Sequence, residues 1–188
     1  MKAYLSFILL FLITINAFSQ DNFGKDLFNK KPAAKPKQNI FFKAVWEHET
    51  LKPGDSTTLA IIIDLEKDYH INPPAHLVPL NYEVEIIPTK VTVKEITKNV
   101  NAQSALFQEP KTEFVEDAKS NLTYYIDQTV VYIPIKTNPS FTGDKISITV
   151  EVYYQMCNKT ACFRPTSEII IAELLINKDM ESKKINEP

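Results

Sequence analysis

The chain of 188 residues carries 21 basic and 23 acidic side chains, a formal net charge of −2, and only 3 glycines. Arg164 is its one arginine, so no surface suited to bidentate phosphate recognition is available, and nucleic acid is excluded as the expected partner. Its two cysteines, Cys157 and Cys162, stand close together near the end of the chain.

The first 19 residues read as an export signal: Lys2 gives a positive start, residues 5–15 an apolar run, and Ala17-Phe18-Ser19 a small-x-small cleavage signature. Cleavage there starts the mature chain at Gln20 and leaves 169 of 188 residues, enough for one domain with a sizeable core. Loss of Lys2 takes the net charge to −3. No later run approaches the roughly 20 apolar residues that a spanning helix requires, so the mature form is expected not to span a membrane. No cysteine lies near the cleavage site to take a lipid anchor.

Residues 20–38 are polar and include KKPAAKPKQ, a composition that buries too little apolar surface to order itself; we read them as a flexible leader. The body follows at 39–177, with a charged tail at 178–188. Within the body the hydrophobic period is two. Leu59, Ile61, Ile63 and Leu65 alternate with Ala60, Ile62 and Asp64, and Ile146, Ile148, Val150, Val152 and Tyr154 with Ser147, Thr149, Glu151 and Tyr153. Further strands are expected at 40–46, 82–87, 91–96, 122–126, 130–135 and 169–176, separated by turn signals such as Pro53-Gly54-Asp55 and Gly143-Asp144. Many short strands with no competing helix predict an all-β fold, an immunoglobulin-like antiparallel β-sandwich. Pro88 and Pro134 cannot donate to a ladder and are expected at an edge or a strand end.

The longest stretch without a strand pattern runs from 97 to 120 and holds Leu106, Phe107 and Phe114 among polar residues. It is either a fold-back onto the core or a lid. His70 and His76 flank Asn72-Pro73-Pro74 and, with Met156 and the cysteines, make up a conceivable copper or zinc ligand set of undiagnostic spacing. His48, between Glu47 and Glu49, is expected to be solvated.

Exported thiols five positions apart meet oxidising surroundings, and the chain needs only to turn back at Asn158-Lys159-Thr160 to join them. Such a bond is either a permanent staple or a reagent. A third reading, a non-catalytic binding module that displays Tyr124, Tyr125 and Tyr153, stays open at this level, because a β-sandwich by itself carries no activity.

The segment YYQMCNKTACFRP, from Tyr153 to Pro165, resembles the signature of the N-terminal periplasmic domain of the thiol:disulfide interchange protein DsbD family: a valine-rich strand, Tyr-Gln-x-Cys, a short loop, then Cys-Tyr-Pro-Pro. Tyr154, Gln155, Cys157, Cys162 and Pro165 match. Phe163 stands for the tyrosine, Arg164 replaces the first proline, and the loop is one residue shorter. Asp68-Tyr69-His70-Ile71 is similar to the family's early aromatic strand, and Thr112-Glu113-Phe114 to the acidic-Phe segment of its cap loop. The resemblance covers residues 40–176. It implies a periplasmic, immunoglobulin-like domain that works without a cofactor or metal. Its dithiol would take electrons from a thioredoxin-like donor and pass them to oxidised exported proteins such as disulfide isomerases or cytochrome-maturation thioredoxins. Cys162 would form the mixed disulfide and Cys157 resolve it. Phe114 would shield the pair, with Phe107 as its rival, and Tyr69, Tyr154, Gln155, Phe163 and Arg164 would support it. The sequence shows neither the membrane domain nor the C-terminal thioredoxin-like domain of full-length members, so a separate membrane-linked donor is expected.

Overall fold

A strand with alternating apolar residues has one face that water disfavours, and two sheets of such strands satisfy each other by closing those faces together. The computed structural model describes residues 39–79, 85–116, 119–179 and 183–185. The expected export signal, the leader and positions 82–84 of an expected strand lie outside the described residues.

In chain order the strands are β1 (Ile40–Trp46), β2 (His48–Leu51), β3 (Ser56–Leu65), β4 (Tyr69–Ile71), β5 (Lys90–Ile96), β6 (Val100–Ala102) and β7 (Leu106–Phe107). They continue as β8 (Lys111–Val115), β9 (Ser120–Tyr124), β10 (Gln128–Thr137), β11 (Lys145–Tyr154), β12 (Met156–Asn158), β13 (Thr166–Ile176) and β14 (Lys183–Lys184). Among the described residues the one helical element is a 3₁₀ turn at Ala75–Leu77. The fold is all-β, an immunoglobulin-like sandwich.

One sheet places β3 between β1 and β10, with β6 and β7 in succession along the outer side of β10. The other places β11 between β5 and β13, and the short β2 and β14 extend it past the end of β13. Leu59, Ile61 and Ile63 of β3, Val131, Ile133 and Ile135 of β10, and Ile146, Ile148, Val150 and Val152 of β11 form the dry interior. These are the positions that the period-two pattern picks out.

Several expectations need correction. His48 is buried, not solvated: its Nδ1 lies 2.9 Å from the Thr57 hydroxyl, which satisfies the ring nitrogen inside the sandwich end. Pro134 sits in the middle of the interior strand β10, not at an edge. Its carbonyl accepts from the Gln103 N–H at 2.8 Å, so its donorless nitrogen faces the same side, where the neighbouring strand is interrupted between β6 and β7. Residues 85–87, the described part of the strand expected at 82–87, form no strand. There the Ile87 carbonyl accepts from the Asn72 side chain instead of from a ladder. The stretch 97–120 holds the short strands β6, β7 and β8, each too brief to show a period. In the tail, Lys183 and Lys184 pair with β2 and form ion pairs with Glu49 at 2.6 Å and Glu47 at 3.0 Å.

The apolar face of β13 could not be read from its sequence, because residues 169–171 are three consecutive isoleucines. Register decides it: Ala172 and Leu174 oppose the buried Ile148 and Ile146, which turns Ile169, Ile171 and Leu175 outward at 52%, 67% and 61% exposure. Replacement of the fully buried Ile61 by alanine is therefore expected to cost about 2–5 kcal/mol, whereas Ile171→Ala should stay within about 0.5 kcal/mol of the parent. Denaturant midpoints of the two variants check both.

Candidate functional site

β11 and β13 are antiparallel neighbours, paired from Lys145↔Leu175 to Tyr154↔Thr166, so the chain between them is the tip of a long hairpin. Both cysteines lie in that tip. Tyr154 ends the paired stretch, buried and tilted against Phe42 with ring centroids 5.3 Å apart. Burial, and then the charge of Glu168, push its hydroxyl above the usual phenol range.

Beyond Gln155 the chain forms β12, which pairs antiparallel with β4: Met156 opposes Ile71, Cys157 opposes His70, and Asn158 opposes Tyr69. Asn158 then reverses the chain. Its side-chain oxygen accepts from the Thr160 N–H at 2.9 Å, the Thr160 hydroxyl at 3.0 Å and the Ala161 N–H at 2.9 Å, the local bonding that makes asparagine a turn former. The Asn158 N–H donates to the Ala161 carbonyl and the Phe163 N–H to the Met156 carbonyl, both at 2.9 Å. Cys157 and Cys162 are thus left as the directly opposed, non-hydrogen-bonded pair between two ladder bonds, the arrangement in which opposed residues come closest. They are joined as a disulfide with Cα atoms 3.9 Å apart.

The two sulfurs do not share an environment. Cys157 is 1% exposed, while Cys162 lies on the exposed return arm. That arm is clamped by the glutamine of the Tyr-Gln-x-Cys motif: Gln155 Nε2 donates to the Phe163 carbonyl at 3.0 Å. Asn72 supports the clamp from behind. Its amide reaches Gln155 Oε1 at 3.5 Å and the Ile87 carbonyl at 3.0 Å, while its own carbonyl accepts the Thr89 hydroxyl at 2.5 Å. Asn72 and Thr89 are buried, and no sequence pattern marked either one.

The rings of Tyr69 and Phe163 stand 6.2 Å apart beside the disulfide arm, and Arg164 follows in an exposed position. Lys159, in the turn, pairs with Asp68 at 2.9 Å, and this hydrogen bond holds the Asp68 carboxyl below its usual range. The two cap candidates are supported differently. Phe107 is half-buried on β7, opposite Val131, with its ring edge-on to His76 at 6.1 Å. Phe114 is 56% exposed on the hairpin of β8 and β9, a two-stranded sheet of its own. The chain leaving that hairpin meets the site through Tyr125, whose backbone exchanges hydrogen bonds of 2.9 and 3.1 Å with Ile71. The Tyr125 hydroxyl donates to the Gln108 carbonyl at 2.5 Å, and burial, aided by Glu109, pushes its pKa up to about 12.

His70 and His76 do not converge. His70 faces the Tyr124 ring at 5.1 Å and His76 faces Phe107. Among the described residues no group of three or more His, Cys, Asp and Glu side chains is arranged to hold a metal.

A β-sandwich with an asymmetric disulfide hairpin at one end defines the class of this molecule. Its family follows from the sequence between those elements: the family described as thiol:disulfide interchange protein DsbD, N-terminal, matches residues 42–174, and the chain belongs to that family. Among solved structures it is similar to the N-terminal periplasmic domain of ScsB from Proteus mirabilis, with 10% identity and a TM-score of 0.47 over 73% of this chain and 47% of that one. The chain therefore spans about half the length of that relative. It is also similar to the Neisseria meningitidis DsbD N-terminal domain in the reduced form, with 12% identity and a TM-score of 0.40 over 81% and 96% of the two chains. No curated protein matches.

Two outcomes follow from the geometry. Asn158→Ala removes the acceptor that closes the turn, so the oxidised protein should lose about 1 kcal/mol. If that loss is confined to the oxidised form, the reduction potential should rise by roughly 20 mV, read by equilibration with glutathione. The second outcome concerns acid. Burial holds the pKa of His70 below its ordinary value of 6.5, so the unfolded chain binds the proton more readily than the native one. The stabilising effect of a neutral His70 is present above the unfolded value and is lost as pH falls through the folded one. Unfolding midpoints at about pH 7.5 and pH 5 should differ less in His70→Gln than in the parent.

Proposed function

We propose that the chain is a periplasmic thiol:disulfide exchange domain. Its Cys157/Cys162 pair takes electrons from a membrane-linked, thioredoxin-like donor and passes them to oxidised exported proteins. The observation that carries this reading is the division of the pair into one exposed sulfur and one buried sulfur, within a chain of this family. Exchange proceeds by in-line attack of a thiolate on one sulfur while the other departs. A donor thiolate attacks Cys162 Sγ, the Cys157–Cys162 bond breaks, and Cys157 leaves with the electron pair and takes up a proton. The donor's second thiol then loses a proton and attacks the donor sulfur of the mixed disulfide. The donor departs as a disulfide and Cys162 is released as the second thiol. Delivery to an oxidised substrate is the reverse sequence, with Cys162 attacking and Cys157 resolving.

The hydrogen-bonding of the hairpin supports exchange over a staple. Closing so short a loop stabilises by only about 2 kcal/mol, and Asn158 and Gln155 already hold the two arms together without the sulfur bond. The bond can open while the sandwich, whose core lies between the sheets, stays closed. Phe114, on its separate hairpin, serves in this reading as the cover that a docking partner displaces. In this reading the export signal expected at 1–19 delivers the mature chain to the compartment where such disulfides persist.

The reading is tested by trapping. Cys157→Ser, activated at Cys162 with dithiobis-nitrobenzoate and mixed with a reduced thioredoxin-like protein whose resolving cysteine is replaced by serine, should accumulate a covalent adduct through Cys162 that dithiothreitol releases. Cys162→Ser should accumulate none. Equal trapping by both variants, or by neither, would overturn the assignment of roles.

A further inference from the structure

Buried thiols make poor nucleophiles, because burial in apolar surroundings raises a thiol pKa and only the thiolate attacks. Cys157 is such a thiol once the disulfide opens, shut away from bulk solvent by its burial. The resolving step nevertheless requires it to lose that proton.

The ladder places one titratable group beside it. Cys162 opposes Cys157 on one side, and His70 opposes it on the other across β4 and β12. Directly opposed residues of antiparallel strands project to the same face, with Cβ atoms about 4.5–5.5 Å apart. His70, Cys157 and Cys162 therefore form one row across three strands. An imidazole in that row stands on the face that carries the middle sulfur. Its ring is steadied from the other side by Tyr124 at 5.1 Å, and the Tyr124 hydroxyl donates to Glu113.

We infer that His70 is the proton acceptor that converts the Cys157 thiol to the attacking thiolate. The inference rests on the exchange reading above. In the step, the Cys157 proton passes to the imidazole, the thiolate attacks Cys162 Sγ of the mixed disulfide, the internal disulfide re-forms, and the substrate sulfur departs with the electron pair. In the opposite direction the imidazolium returns the proton to Cys157 as it leaves. The surrounding charges are paired off: Asp68 with Lys159 at 2.9 Å on the turn side, and Glu113 with Lys111 at 2.6 Å on β8, where the lysine also lies 5.9 Å from the centre of the Tyr124 ring. Burial therefore dominates the state of His70 and keeps it neutral near pH 7, the form that accepts a proton.

The reduced protein is mixed with dithiobis-nitrobenzoate, which releases one coloured thiolate when Cys162 is labelled and a second when Cys157 displaces the label. His70→Ala should leave the first phase unchanged and slow the second about a hundredfold at pH 7. The parent's second phase should titrate in the histidine range, and the variant's should rise only toward the range where a thiol ionises on its own, above about pH 8.5. His70→Gln, which keeps bulk and hydrogen bonding, should follow the alanine profile and decides the matter if that variant does not fold. Second phases of equal rate and equal pH profile in parent and variants would overturn the role of His70 alone. Failure of Cys162 to take the label in the parent would overturn the exchange reading itself.

Discussion

The site depends on one pairing register, that of a hairpin tip in which Cys157 and Cys162 face each other between two backbone hydrogen bonds. A shift of one residue on either arm would turn one sulfur to the opposite face and leave no disulfide to form. The register is set from both ends. Below, the ten-residue pairing of β11 with β13 is pinned by buried side chains that tolerate no slip, and above, the Asn158 carboxamide closes the turn. Gln155 then ties the return arm to the outgoing one. The glutamine of the family motif thus acts on shape, since its amide bonds to the backbone beyond the second cysteine.

From that register follows the chemical inequality of the two sulfurs. β12 is covered by β4 on one side and by the return arm on the other, so Cys157, in the middle of three strands, is shut away. Cys162, on the outermost arm, keeps an open side. A disulfide held by equivalent arms would present two targets to an attacking thiolate. This one exposes one cysteine and buries the other.

The parts legible in the sequence are those where one physical signal acts alone. β11 alternates cleanly because it has one dry face and one wet face, β3 does so on either side of its Ile61-Ile62-Ile63 run, and the cysteine segment was legible because its residue types and spacing are specific. Legibility failed where two signals compete. In β13 both faces are apolar, and only pairing with β11 chooses between them. For Pro134 the lost donor is real, but an interruption in the neighbouring strand absorbs it inside a sheet. His48 reads as a charged-surface residue from its two glutamate neighbours, yet strand geometry sends alternate side chains to opposite faces and buries it against Thr57. Asn72 and Thr89 were silent because their role is to satisfy buried backbone and amide groups across 15 to 83 residues of chain, a relation that no local pattern encodes.

The free energy that closes the sandwich and the free energy of the sulfur bond are kept apart by position. The large apolar term lies between the sheets, in residues of β3, β10 and β11 that contain no sulfur. The site sits at the sandwich end and is held by hydrogen bonds that involve no sulfur: the Asn158 turn, the Gln155 clamp and the Asn72 support behind it. Opening the sulfur bond then removes a short loop constraint worth about 2 kcal/mol, small beside the burial that closes the core. Of the polar supports, Asn72 and Thr89 are buried behind the site, whereas the Gln155 clamp and the Asn158 turn lie at the surface beside the exposed Cys162.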